Sequence, residues 1–150
     1  MATFVLGMDC KLYFDPAPLA GAPSTGTWTE LTNAKDVTVN LETGEADITT
    51  RANSGWRATA ATLKDGSIEF EMVWRPGDAG FDAIQTAWAN SAEIALAAMD
   101  GDITTSGNQG LAGNFTVTNF SRSEPLEEAV TVSITLKPSS YTTWYEVAGA

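Results

Sequence analysis

Between Ser67 and Arg75 the chain alternates: Ile68, Phe70, Met72 and Trp74 fall on one parity, and Ser67, Glu69, Glu71 and Arg75 on the other. Period two marks a strand with one dry and one wet face, because successive side chains point to opposite sides of a sheet. A helix would scatter the same residues around its circumference. The pattern returns where Val130, Val132, Ile134 and Leu136 alternate with Thr131, Ser133, Thr135 and Lys137, a run that Pro138 is expected to end. Shorter versions are Val37-Val39-Leu41, Ala46-Ile48 and Phe115-Val117, with a slip at Asn119-Phe120 that suits a bulge. Thr, with 20 copies, and Ser, with 10, fill the wet positions, and the branched Thr side chain itself favours strands.

Turn residues punctuate these strands. Thr43-Gly44 and Asn53-Ser54-Gly55 read as turns between successive hairpin strands, and Lys64-Asp65-Gly66 as the lead into the strand at Ser67. One segment breaks the period: Phe81, Ile84 and Trp88 follow Pro76-Gly-Asp78 at helical spacing. Asp78 can cap, Asp82 suits the positive end and Asn90 can stop the helix, so one helix is expected at about 78–89. Asp15 to Gly26 holds three of the six prolines and reads as a loop or arm, and Asp102 to Gly113 as a second loop. The expected architecture is mainly β, an antiparallel β-sandwich or barrel with one flanking α-helix, in a single domain over 1–150.

Charge and composition remove whole classes of function. Eight basic against 19 acidic residues leave −11, divided −4 and −7 between the two halves, so the excess belongs to the folded surface rather than to a tail. A general grip on nucleic acid needs Lys and Arg to displace phosphate counter-ions, which this balance opposes. No histidine and a single cysteine exclude Ser-His-Asp and Cys-His nucleophiles, the common zinc sites and a disulfide framework. Cys10 reads as a small buried hydrophobe. The longest apolar run, Ile94 to Met99, is too short to span a membrane, and Met1 to Asp9 lacks the basic start and long apolar stretch of a signal peptide.

The remaining candidates for chemistry are weak. Glu69 and Glu71 share a strand face, but glycosidase carboxylates flank the scissile bond from different elements, so a solvated face is the simpler reading. Asp100-Gly-Asp102 lacks the ligand count of a calcium loop and reads as a turn. The glycines at 101, 107, 110 and 113 have no Lys-Ser/Thr after them and form no phosphate loop. Of the five tryptophans, Trp74 and Trp88 are expected in the core, while Trp28, Trp56 and Trp144 suit interfaces or, in a rival reading, a sugar-binding platform. No catalytic residue, cofactor or metal site is expected.

Three segments in order carry a family likeness: Val37 to Arg57, with Ala46-Asp-Ile-Thr-Thr-Arg51 and Gly55-Trp56; Leu63 to Asp78, with Asp65-Gly-Ser-Ile-Glu69 and Pro76-Gly-Asp78; and Phe120 to Ser139. Together, over roughly residues 30 to 140, they resemble the tail tube (major tail) proteins of long-tailed bacteriophages. The resemblance implies a structural virion protein forming stacked, usually hexameric rings, assembled in the host bacterial cytoplasm, whose joined inner sheets surround a lumen that conducts DNA. It implies a hairpin loop at about 42–56 that reaches a neighbouring ring through Glu42, Thr49, Thr50, Arg51 and Trp56. It implies further contacts from an N-terminal arm at about 1–27 and a C-terminal segment at about 140–150. The face of Glu69 and Glu71 then lines either the lumen or the outer surface. Implied partners are further copies of the chain and the tape-measure, tail-terminator and distal tail proteins, with DNA passing unbound and no membrane. The rivals are an inner-tube protein of a contractile injection or type VI secretion system and a carbohydrate-binding β-sandwich.

Overall fold

A computed structural model describes residues 4–148. The elements are β1 (Lys11–Asp15), β2 (Thr29–Glu30), β3 (Ala34–Asp47), β4 (Thr59–Val73), α1 (Ala79–Ala89), β5 (Glu93–Met99), β6 (Gln109–Ser123) and β7 (Thr131–Glu146), with single 3-10 turns at Gly7–Asp9, Pro23–Thr25 and Arg51–Asn53. All seven strands join one antiparallel sheet in the order β2-β1-β5-β6-β7-β4-β3. The sheet is not closed: β2 and β3 are its two edges.

The alternating residues fill one core. Ile68, Phe70 and Met72 of β4, Val132, Ile134 and Leu136 of β7, Phe115 of β6 and Ile94 and Leu96 of β5 are buried together with Phe81 and Ile84 of α1. Each such side chain contributes about 1.5–3 kcal/mol relative to exposure. A smaller cluster of Tyr13, Ala97, Met99, Ile103 and Ala112 covers the opposite face of β1, β5 and β6. Strand β5 is thus buried on both sides, which is why Ile94 to Met99 reads as an unbroken apolar run instead of alternating.

The helix forms as expected. The Asp78 carboxylate accepts from Phe81 N at 3.2 Å, and Asn90 N donates to Thr86 O at the other end. Phe81 meets the Trp74 ring edge-on at 4.9 Å. Trp88, expected in the core, is 50% exposed and stacks on Phe120, with centroids 5.8 Å apart.

Several local expectations give way. Thr43-Gly44 and Lys64-Asp65-Gly66 are not turns; they face each other inside one long hairpin, where β3 only shifts register between Thr43 and Glu45. Cross-strand pairing along the whole length outweighs the local turn preference of these residues. Pro138 does not end β7. Beyond Ile68 and Leu136, β4 and β7 part company, so Pro138 lies where β7 has a free edge and no neighbour needs its missing N–H. A register shift beside it, from Asn114 opposite Tyr141 to Phe115 opposite Pro138, absorbs Ser139 and Ser140. The stretch expected as a loop to Gly113 enters β6 at Gln109, and Gly110 to Gly113 are buried. The slip expected at Asn119 is a register shift between Val117 and Asn119. Cys10 is exposed, because it precedes β1 instead of sitting inside it. Within the segment expected as an N-terminal arm, Leu12, Tyr13 and Phe14 are buried in β1, while residues 1–3, like 149–150 of the C-terminal segment, lie outside the described residues.

Candidate assembly surfaces

The fork between β4 and β7 leaves a long arm. From Ser67 back to Thr59, β4 pairs only with β3, so the hairpin runs on for nine residues past its last β7 partner, or about 30 Å. Every residue from Val37 to Ala52 is exposed, including Leu41 and Ile48. Beyond Gly66 and Ser67 at its base, such a hairpin gains little from the core, and its order must come from local bonds.

The tip supplies them. Thr50 and Asn53 form a reciprocal cap: Thr50 N donates to Asn53 Oδ1 at 2.6 Å, and Ala52 N donates to Thr50 Oγ1 at 3.3 Å. Ser54 and Gly55 then turn back with φ of 53° and 85°. Thr49 closes the neck, its hydroxyl accepting from Ala58 N at 2.8 Å. Hydrogen bonding from Thr49, first through its side chain and then its backbone, holds the Asp47 carboxyl below its ordinary range. Thr49, Thr50, Arg51 and Trp56 come together around a concavity of about 560 Å³ that Asp47, Gly55 and Arg57 complete. Glu42 does not join them; it lies down the arm, in register with Asp65. Trp56 is 78% exposed.

The second surface is the wet face of β3, β4, β7 and β6. Register places Glu71 opposite Lys35 and Ser133, and Glu69 opposite Thr38 and Thr135, which in turn faces Asn119. Asn40 Nδ2 donates to Glu69 Oε2 at 3.1 Å and to Ser67 Oγ at 3.2 Å. Alternation extends this face to Glu42, Asp65 and Lys137, which line one shallow hollow with Asn40 and Ser67. Four carboxylates and two ammonium groups therefore stand among hydroxyls and amides, net −2. Sequence reading found Glu69 and Glu71 but missed Glu42 as part of this face, and Asp65, because Lys64-Asp65-Gly66 looked like a turn.

The other expected tryptophans separate. Trp28 is half-buried and donates to Pro23 O at 2.8 Å; Trp144, more exposed, donates to Gln109 Oε1 at 2.9 Å. Trp144 and Trp56 line different hollows. Asp102 accepts from the backbone N and hydroxyl of Thr104, which makes Asp100-Gly-Asp102 part of a turn. Among the described residues, no three His, Cys, Asp or Glu side chains gather in a way that could hold a metal ion, and no helix is long and apolar enough to cross a membrane.

The fold as a whole has known counterparts. The family described as phage tail tube protein matches residues 18–142. No curated protein matches the chain. Among solved structures, the tail of an empty gene transfer agent particle, refined with C6 symmetry, superposes with a TM-score of 0.72 at 14% identity, covering 93% of this chain and 98% of the other. The SPP1 tail tube gives a TM-score of 0.70 at 20% identity, covering 97% and 81%. The anti-feeding prophage baseplate structure gives 0.61 at 8% identity, covering 98% and 99%.

Proposed function

The chain belongs to the phage tail tube protein family and is a structural subunit of a tail tube, and from that premise we propose how its surfaces build one. Copies close side by side into a ring through the two open edges of the sheet, and the rings stack through the hairpin arm. The observation that carries this reading is the arm itself: about 30 Å of hairpin that pairs only with itself, with an exposed Trp56 at its tip. Such a surface is stable in water only at a cost, and contact with another copy removes it. Ring closure likewise pairs edges that an isolated sheet would leave open to aggregation.

The wet face of Glu69 and Glu71 lines the lumen. Its support is chemical: a wall of hydroxyls, amides and net negative charge stays hydrated and offers DNA few cations to hold it. In the tail of a virion the tube then conducts DNA without binding it. Tape-measure, terminator and distal tail proteins are the partners such a tube needs inside and at its ends.

The likeness to the anti-feeding prophage baseplate structure supports a second reading, the inner tube of a contractile injection system. Gene neighbours distinguish the two: a tape-measure protein and terminase on one side, a sheath and ATPase on the other. Negative-stain microscopy of the concentrated protein tests the common premise. Stacked rings or tubes are the expected result, and a chain that stays monomeric at every concentration overturns it.

A further inference from the structure

The hairpin tip and the β6–β7 loop lie at opposite poles of one strand. Strand β4 begins at Thr59 beside the tip and ends at Val73, which pairs with Thr131; Thr131 pairs in turn with Ser123, the last residue of β6. Residues 124–130 therefore sit at the far end of the sheet, about 45 Å from the start of β4.

The poles are opposite in character. Residues 48–58 include Arg51 and Arg57 and no acid, whereas residues 124–130 include Glu124, Glu127 and Glu128 and no base. Each also displays a large apolar side chain, Trp56 at 78% exposure and Leu126 at 100%. Arg122 engages Glu124 at 3.3 Å and also lies over the Trp74 ring, and Arg75 is the other cation at this end. Glu127 and Glu128 form no ion pair among the described residues. The tip is already concave, with Arg51, Trp56 and Arg57 around one hollow of about 560 Å³ that the Asp47 carboxylate also lines, so its two guanidinium groups outnumber its one acid. In a chain of net charge −11, a hollow of net charge +1 at one pole and an acidic loop with an exposed Leu126 at the other suit a heterologous contact that repeats head to tail.

We propose that the tip hollow of one copy receives the Glu124–Glu128 loop of a copy in the next ring, with Leu126 against the Trp56 ring and Glu127 and Glu128 facing Arg51 and Arg57. This rests on the tube reading above and assigns its ring-to-ring junction. Because the two halves of the contact differ, every ring points the same way along the tube, and the contact weakens as salt screens it.

The test uses the full chain and three variants: Arg51→Glu with Arg57→Glu, Glu127→Arg with Glu128→Arg, and all four changes together. Tubes are scored by pelleting and negative-stain microscopy across about 50 to 500 mM salt. Each reversal alone should raise the protein concentration needed for tubes by about tenfold or more, since like charges then meet at every junction, and the combination should restore assembly. All four side chains are exposed, so circular dichroism of the unassembled variants should match the parent and separate assembly from folding. Tubes that form equally well from either reversal, or a combination no better than its parts, overturn the junction while leaving the tube reading in place. A parent that never assembles overturns the tube reading and the junction with it.

Discussion

Asn114 and Leu19 exchange two hydrogen bonds across 95 residues of chain: Leu19 N donates to Asn114 Oδ1 at 2.7 Å, and Asn114 Nδ2 donates to Leu19 O at 3.0 Å. The side-chain amide thus serves the proline-rich loop as a strand neighbour would, satisfying one backbone donor and one acceptor inside the fold. Asn114 is itself buried, so the bonds form away from competing water.

Asn114→Ala leaves both Leu19 groups without their partner. A buried polar group left unpaired costs about 1–3 kcal/mol, and two of them bring the expected loss to roughly the upper part of that range. For a domain of this length the melting temperature should fall by about 5–10 °C. Thermal unfolding followed by circular dichroism checks this, and an unchanged midpoint would show that the loop is held by Leu19 packing alone.

Gly110 and Gly113 are required by close backbone approach. A Cβ on Gly110 would collide with the carbonyl of Ala98 in β5, and one on Gly113 with the carbonyl of Tyr141 in β7. Backbone cannot step aside as a flexible side chain can, so Ala at either position should destabilise by about 3 kcal/mol or more, or prevent folding. The control is Gly107→Ala, whose site is open but has a φ of 92°, and which should cost about 1 kcal/mol through strain alone. Urea unfolding of the three variants gives the order, and Gly110→Ala matching Gly107→Ala would remove the steric argument.

These glycines also show where sequence reading stops. Ile68, Phe70 and Met72 could be placed in the core from alternation, and α1 from its cap and spacing, because both signals are local. Gly110 and Gly113 looked like loop residues because their role depends on which strands lie beside them. The same limit hid the fork at Leu136, and with it the reason Pro138 is tolerated inside β7. At the tip, Thr49, Thr50, Arg51 and Trp56 were singled out by the family likeness and not by a local signal, and the structure leaves all four exposed around one hollow. Leu126 and its flanking glutamates gave no signal until register put them at the pole opposite that tip.

Glu93 gives the fold a defined acid response. Ser140 donates to its carboxylate from the hydroxyl, and from the backbone N at 3.3 Å, and the hydroxyl bond is the main cause that holds the Glu93 carboxyl below its ordinary range. A folded-state value below the unfolded one adds stability that is present above the unfolded value and is lost as pH falls through the folded one. Against Glu93→Gln, the parent should therefore be the more stable protein above the ordinary glutamate value of 4.5, and its advantage should shrink as pH falls below it. Urea unfolding at several pH values measures the difference, and a gap that stays constant with pH would mean that the ionised carboxylate contributes nothing.

The lumen assignment predicts a change of affinity that the fold would not register. Glu69→Lys with Glu71→Lys turns a face of four carboxylates and two ammonium groups into one of two carboxylates and four ammonium groups. Glu69 is exposed and Glu71 half-buried, and both alternate with core residues that stay in place, so stability should move by less than about 1 kcal/mol. If this face lines the tube, cationic side chains now meet phosphate along its whole length. DNA ejection from particles carrying the variant should slow, and DNA retained in the tubes should be released as salt rises, because the added contacts bind by displacing counter-ions. Unchanged ejection, from variant tubes that assemble as the parent does, would move Glu69 and Glu71 to the outside of the tube.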